Sequence, residues 1–286
     1  MRIRAPAKIN LFLRVVGRRK DGYHLLDTLM LPVSLYDEIE IRKAKSAPGA
    51  AAPRIAVSCN HPLVPRGDKN LAFGAAQLLL PCIDKRWAID IHIRKRIPVG
   101  AGLGGGSTDA AATLVGINRL FKLGLSEARL EKLALSLGAD VPFFVRARPA
   151  RARGIGERLC PISGLARFWL VILYPGFPVS TARVYRSFEA TLTKTRVNTS
   201  IATSLKSPDA IVSLLHNDLE SVALKMHPAI QLLKDKLLRE GAAGGLMSGS
   251  GSAVFGIFRS KMTAEKASHR LRKEEGVDAF LVRVLN

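Results

Sequence analysis

The sequence predicts an α+β protein. Three observations carry this: period-two apolar runs crowd the N-terminal third, helical periodicity starts directly after a glycine-rich segment, and later strands and helices follow without strict strand–helix–strand alternation. Ile9-Asn10-Leu11-Phe12-Leu13 alternates in part, Ile39-Glu40-Ile41 repeats the pattern, and Ile89-Asp90-Ile91-His92-Ile93 is a clean half-buried strand. Ala44–Pro53 is rich in Ala, Pro, Gly and Ser and reads as a loop, whereas Leu71, Ala75, Leu78 and Leu79 share one helical face that stops at Pro81. Past the glycines, Ala110, Leu114, Ile117 and Phe121 fall at helical spacing. A further helix runs from a Ser126 cap through Leu130, Leu133, Ala134 and Leu137 to Gly138, which suits a left-handed C-terminal cap. Asp140 follows. From Arg146 to about Glu157 the chain reads as basic and irregular, and Phe168–Tyr174 as a buried strand closed by Pro175-Gly176. Glu189–Ser207 reads as a mobile Ser/Thr/Lys-rich loop. Helices around Asp209–His216 and Pro228–Glu240 and a last strand, Ala253–Phe258, complete the chain.

With 286 residues, 48% of them apolar, the chain has material for one large core or two ordinary ones. No apolar run approaches the ~20 residues that cross a bilayer, and the N-terminus lacks a signal peptide's apolar block, so a cytoplasmic protein without a membrane partner is expected. Cys59, Cys82 and Cys160 are far apart and odd in number, which supports neither a disulfide framework nor a zinc site; buried thiols are the default. Lys and Arg number 44 against 23 Asp and Glu, a net charge of +21 that attracts polyanions. Nucleotides, polyphosphate substrates and RNA all answer to such a field.

Pro98–Thr108 narrows the choice. Glycines at 100, 102, 104, 105 and 106 let backbone amides approach an anion, and the helix that follows adds a partial positive charge at its N-terminus. A phosphate cradle results. Gly100, Gly102 and Gly105 formally satisfy a dinucleotide fingerprint, but no second strand ending in an acid follows about 20 residues on. A P-loop would carry lysine where Ser107 stands, and no HRD-like or DFG-like segment supports a protein kinase.

With Pro6-Ala7-Lys8-Ile9-Asn10-Leu11 before this segment and Gly249-Ser250-Gly251-Ser252-Ala253-Val254-Phe255-Gly256 after it, the chain resembles the GHMP kinases, named after galactokinase, homoserine kinase, mevalonate kinase and phosphomevalonate kinase. Asp21-Gly22-Tyr23-His24, Gly138-Ala139-Asp140-Val141-Pro142-Phe143 and Asn217-Asp218-Leu219-Glu220 are similar to the 4-diphosphocytidyl-2-C-methyl-D-erythritol kinase family within them. The resemblance implies a two-domain fold: residues 1–157, like the second domain of ribosomal protein S5 and carrying the ATP-binding glycine loop, and residues 158–286, ferredoxin-like. It implies ATP and Mg²⁺, and phosphorylation of the 2-hydroxyl of the cytidine-diphosphate-linked methylerythritol in non-mevalonate isoprenoid biosynthesis.

The same resemblance assigns roles. Asp140 is implied as the base that accepts the alcohol's proton, or else a cap of the segment entering Val141-Pro142, and Lys8 as the cation that keeps Asp140 ionised. The nucleotide falls to Pro98, Val99, Gly100, Ala101, Gly102, Leu103, Gly104, Gly105, Gly106, Ser107 and Thr108, with Lys95 and Asn70 at the adenine. Ser107 and Thr108 are candidates for the metal or for helix capping, so the metal ligands stay unassigned. Tyr23 and Tyr185 are implied as stacking rings for cytosine, His24 as reader of its edge, and Asn10 as a contact to the erythritol hydroxyls. Tyr23-His24 argues against homoserine or mevalonate as acceptor. A basic RNA-binding protein is the alternative from another class, but aromatics are only 6% of residues and sit mostly within apolar runs, so no specific nucleic-acid partner is expected. A monomer or weak homodimer is expected.

Overall fold

The computed structural model describes residues 1–46, 54–188 and 205–285. Its contacts group into two compact units. The first contains Met1–Ala7, Leu35–Val99 and Gly104–Ala147, the second Lys8–Ser34, Gly100–Leu103 and Arg148–Asn286. Two long strands, β1 (Arg2–Arg18) and β2 (His24–Lys45), pass from one unit into the other.

In the first unit the strand order is β3-β4-β2-β1, with β3 (Ile55–Cys59) parallel to β4 (Trp87–Arg94) and β4 antiparallel to β2. The period-two pattern explains why this sheet has one dry face. Ile39 and Ile41 lie opposite Ile93 and Ile91 and are buried, while Glu40, Arg42, Asp90 and His92 alternate outward. α1 (Leu71–Leu79) and α2 (Gly105–Leu120) pack in this unit; Ala110, Leu114 and Ile117 bury the face expected of α2, whereas on α1 Ala75 and Leu79 are buried as expected but Leu71 is exposed and Leu78 half-buried, the small side chains Ala72 and Ala76 facing inward instead. α3 (Glu127–Leu135) and α4 (Val141–Arg146) follow. Ser126 caps α3 as expected, accepting from the Arg129 amide at 3.3 Å. Gly138 does not cap it. The helix ends earlier, at Ser136 in right-handed conformation, because Ser136 and Leu137 already satisfy the last carbonyls; Gly138 has φ +157 and serves the turn into α4.

In the second unit, β5 (Ala150–Gly154) runs antiparallel to the start of β2 and forms a hairpin with β6 (Arg158–Pro161), while β8 (His216–Asn217) pairs parallel to β1. The stretch after Arg146 is therefore not irregular. Ala150 and Ala152 are buried and alternate with Arg151 and Arg153, a period-two signal muted because alanine supplies its apolar half. Arg151 grips Asp27 with two hydrogen bonds of 2.7 and 2.5 Å.

The four-stranded sheet of this unit has the order β11-β7-β10-β9, from β7 (Trp169–Tyr174), β9 (Gly244–Met247), β10 (Val254–Phe258) and β11 (Asp278–Arg283), with each neighbouring pair antiparallel. α5 (Thr181–Ser187), α6 (Pro208–Val212), α7 (Glu220–Met226) and α8 (Ala229–Arg239) lie between β7 and β9, and α9 (Lys261–Leu271) lies between β10 and β11. Counting α8 and α9 as the crossovers gives β-α-β-β-α-β, the ferredoxin-like arrangement. Its core joins Val171, Leu173, Val254 and Phe258 to Ile230, Leu233 and Leu237 of α8 and Ala264, Ala267 and Leu271 of α9. Val254–Phe258 is thus not the last strand; β11 escaped notice because Asp278–Arg283 alternates only weakly. The helix expected to reach His216 stops at Val212, since His216 joins a strand. Most of the expected loops at Ala44–Pro53 and Glu189–Ser207 lie outside the described residues, although β2 itself continues to Lys45. Cys82 and Cys160 are exposed rather than buried, the first in the turn after Pro81 and the second on β6.

Candidate active site

The glycine segment contributes to both units, and each part has its own anchoring. In the second unit the four carbonyls of Gly100, Ala101, Gly102 and Leu103 accept from Val179 N (2.9 Å), Ala253 N (3.1 Å), Ser248 Oγ (3.0 Å) and Lys8 N (3.0 Å). A planar trans peptide directs each following N–H opposite to its carbonyl. Carbonyls held against the unit therefore turn the amides of residues 101–104 away from it. Gly102 is required here, with φ +76 and only 2.0 Å between the position of an added Cβ and the Ser248 carbonyl oxygen. Ser248 directly precedes the Gly249–Gly256 block, and Asn217 fixes this stretch in turn: its Nδ2 donates to the carbonyls of Met247 (2.9 Å) and Gly249 (2.7 Å). Glu220 accepts from the Met247 amide at 2.9 Å, and Asp218 accepts from the Val15 amide at 2.7 Å. Asn217 and Glu220 are thereby scaffolding for the backbone of residues 247–249, whose Ser248 holds Gly102, while Asp218 ties the chain to Val15 of β1.

In the first unit Gly104, in left-handed conformation with φ 74 and ψ 19, starts α2. Thr108 N is the first amide bonded back into the helix, to Gly104 O at 2.9 Å. Gly105, Gly106 and Ser107 therefore supply the first-turn amides, at the positive end of a 16-residue helix, where an anion is favoured. Beneath this turn lies a buried ionic triad. Lys95 Nζ donates to Asp37 Oδ2 (2.5 Å) and Asp109 Oδ2 (2.8 Å), and Asp37 Oδ1 accepts from the amides of Arg96 (2.6 Å) and Ile97 (2.8 Å). An added Cβ on Gly105 would stand 2.9 Å from Lys95 Nζ. Asp109 Oδ1 is buried with no hydrogen-bond partner. Burial pushes Asp109 up to about 7 against the pull of Lys95, and the Asp37 charge adds to the rise. For Lys95, burial opposes the charge, but Asp109 and then Asp37 outweigh it and hold the ammonium above the ordinary lysine range.

Asn70, assigned to the adenine by resemblance, is the N-cap of α1: its Oδ1 accepts from Ala72 N at 2.9 Å and its Nδ2 donates to Pro65 O at 2.8 Å. Asp140 stands at the head of α4 with φ −82 and ψ −16, half-buried, and its side chain makes no capping hydrogen bond. The reading of Asp140 as a plain cap therefore has no support. In the second unit Lys8, 4% exposed, donates through Nζ to Asn10 Oδ1 at 2.6 Å. There too the structure brings His24 and Tyr185 together, ring centroids 5.2 Å apart, with Phe188 edge-on to His24 at 6.3 Å. Burial, then the neighbouring Arg18 charge, lowers the His24 pKa. Tyr23, next to His24 in sequence, stands 60% exposed after the left-handed turn at Gly22. A largely bare ring on a fixed turn is available for stacking.

Comparison with known proteins joins these features. The GHMP kinases N terminal domain matches residues 70–148 and the GHMP kinases C terminal domain matches residues 201–278. A protein of Citrifermentans bemidjiense called 4-diphosphocytidyl-2-C-methyl-D-erythritol kinase is 46% identical over 285 residues, covering 100% of this chain and 99% of its own. One of Syntrophotalea carbinolica with the same name is 47% identical over 99% of this chain and 98% of its own. The chain belongs to the 4-diphosphocytidyl-2-C-methyl-D-erythritol kinase family. A crystal structure of 4-(cytidine 5'-diphospho)-2C-methyl-D-erythritol kinase superposes with TM-score 0.83 at 36% identity over the full length of both chains. Homoserine kinase of Cytophaga hutchinsonii, at TM-score 0.75 and 18% identity over 100% of this chain and 97% of its own, shares the fold.

This kinase is thus an α+β enzyme with the two-domain GHMP fold, its N-terminal domain like the second domain of ribosomal protein S5 and its C-terminal domain ferredoxin-like, and it transfers phosphoryl from ATP. No helix among the described residues is long and apolar enough to cross a membrane. Asp37, Asp109, Thr28 and Asn217 were not read from the sequence as parts of the site. A signal existed for the triad: Asp37 shares period-two parity with Ile39 and Ile41, and Lys95 with Ile89, Ile91 and Ile93, so both charges point to the dry face.

Proposed function

We propose that this kinase phosphorylates the 2-hydroxyl of 4-diphosphocytidyl-2-C-methyl-D-erythritol, giving the 2-phosphate and ADP, as a cytoplasmic enzyme of the non-mevalonate isoprenoid pathway. The full-length match to relatives of that name carries the reading. Asp140 takes the proton of the attacking hydroxyl. The hydroxyl oxygen forms a bond to the γ-phosphorus as the bond to the β,γ-bridging oxygen breaks, and ADP leaves. Lys8 supplies positive charge to the transferred group and favours the ionised form of Asp140. Its burial supports this role, because an ammonium with little water around it acts on nearby charge far more strongly than a solvated one.

The glycine-loop amides and the first turn of α2 hold the ATP phosphates. Pro98 and Val99 lead the chain into that loop. Lys95 and Asn70 serve the adenine as parts of its frame, since both side chains are engaged within the first unit. Magnesium keeps several waters and takes one or two protein oxygens beside the nucleotide's own. The Ser107 hydroxyl, half-buried at the third position of α2, fits that demand better than Thr108, which is 1% exposed. When bound, the ion neutralises charge on the β- and γ-phosphates. Tyr23 and Tyr185 face the cytosine, His24 reads its edge, and Asn10 lies at the erythritol.

Phosphorus NMR of the product tests the acceptor position. One new phosphate monoester signal per ADP, coupled to the quaternary carbon that bears the 2-hydroxyl, is expected. A monoester on a primary or secondary carbon, or a lengthened phosphate chain, would overturn it.

A further inference from the structure

Lys8 does not sit on its strand alone. Its Nζ donates to Asn10 Oδ1 (2.6 Å), Asn10 Nδ2 donates to Thr28 Oγ1 (2.8 Å), and Thr28 Oγ1 donates to the Phe12 carbonyl (2.6 Å). All three side chains are buried, with residue exposures of 4% for Lys8, 2% for Asn10 and 2% for Thr28. Direction is forced along this relay. A hydroxyl has one proton, and the Phe12 carbonyl can only accept, so Thr28 meets Asn10 with a lone pair. Asn10 must then present its NH₂ to Thr28 and its carbonyl oxygen to Lys8. The Lys8 ammonium, which can only donate, asks for the same orientation, so what the Thr28 hydroxyl adds is an anchor: without it the buried Asn10 Nδ2 loses this acceptor and the amide that meets Lys8 loses its hydrogen bond to β2.

We propose that Thr28 is a positioning residue for phosphoryl transfer, acting through Asn10 to hold Lys8 Nζ in place. The proposal rests on the role given to Lys8 above. Thr28 is itself fixed by the sheet: it lies on β2 opposite Ala152 of β5, so the hairpin of the second unit sets the far end of the relay. Displacing a charge aimed at the transferred group by about 1 Å can cost ~10²-fold in rate while leaving substrate affinity nearly unchanged.

The test compares Thr28→Val, which is close in shape but has no hydroxyl, with Thr28→Ser, which restores it, and with Lys8→Met, each with kcat, both KM values and a thermal midpoint. Thr28→Val is expected to lower kcat ~10–100-fold with KM values held, Thr28→Ser to recover most of kcat, and Lys8→Met/Thr28→Val to be no slower than Lys8→Met alone. If Thr28→Val does not fold, Thr28→Ala carries the same expectation. Folded Thr28→Val with the parent kcat, or Thr28→Ser as slow as Thr28→Val, overturns the positioning role while Lys8→Met remains inactive. Full turnover by Lys8→Met would instead overturn the role of Lys8 on which the proposal stands.

Discussion

Asp140→Asn is expected to abolish measurable turnover while the protein still binds ATP. The two side chains are nearly the same size, and Asp140 makes no capping hydrogen bond to α4, so the exchange removes a proton acceptor without removing a helix cap. A positioned base contributes typically ~10²–10⁴ in rate, and the loss should fall on kcat, since the amide can still contact the alcohol but cannot take its proton. Isothermal titration with a non-hydrolysable ATP analogue should return the parent affinity, and the thermal midpoint should hold. Normal turnover would remove Asp140 as the base. Lost nucleotide affinity would instead give it a structural part in the first unit.

Lys95→Met has the largest expected effect on stability. Methionine fills a similar volume but leaves Asp37 and Asp109 buried side by side without their cation, and breaking a buried ion pair by removing one partner costs about 3–5 kcal/mol. The pH dependence gives the prediction its sign. Lys95 is held above the ordinary lysine range, so its contribution is fully present below about pH 10.4 and is lost only as pH rises through the raised folded value. Asp109 is raised to about 7, so the folded state keeps a proton that the unfolded state has already released. Stability attributable to Asp109 accordingly falls as pH rises from ~4 to about 7, and is flat above. Urea unfolding at pH 5, 7 and 8.5 should show the Lys95→Met deficit growing with pH, because Asp109 can keep a proton at pH 5 but not at 8.5. Asp109→Asn should flatten the fall between pH 5 and 7 expected of the parent. A deficit independent of pH would mean that lost packing, not stranded charge, is the cause.

The triad also marks how far the sequence could be read. Strand and helix faces followed from apolar spacing wherever apolar residues did the burying, as at Ile89–Ile93 and Ala110–Ile117, because burial of apolar area leaves a periodic trace. The fold of the second unit was partly hidden. β5 buries alanines between arginines, and its charged half outweighed its apolar half to the eye. The glycine turn within Pro98–Thr108 and the helix behind it were legible from glycine density and helical spacing, yet the anchoring of the turn was not. Four carbonyls of Gly100–Leu103 are held by Val179, Ala253, Ser248 and Lys8, partners that only the folded chain brings near. Thr28 was invisible for the same reason. A threonine on a strand is ordinary until its one proton is committed to Phe12 and its lone pair thereby anchors Asn10. Asn217-Asp218-Leu219-Glu220 was recognised as a signature, and the structure gives the physical need for each polar member: Asn217 and Glu220 hold the backbone of residues 247–249, and Asp218 holds Val15.

A coupled ADP-release assay offering 4-diphosphocytidyl-2-C-methyl-D-erythritol, mevalonate and homoserine in turn tests the assignment most directly, since it reads both reaction class and acceptor. ADP is expected only with the cytidine-diphosphate-linked alcohol. Comparable release with mevalonate or homoserine, or none with any of the three, would contradict it.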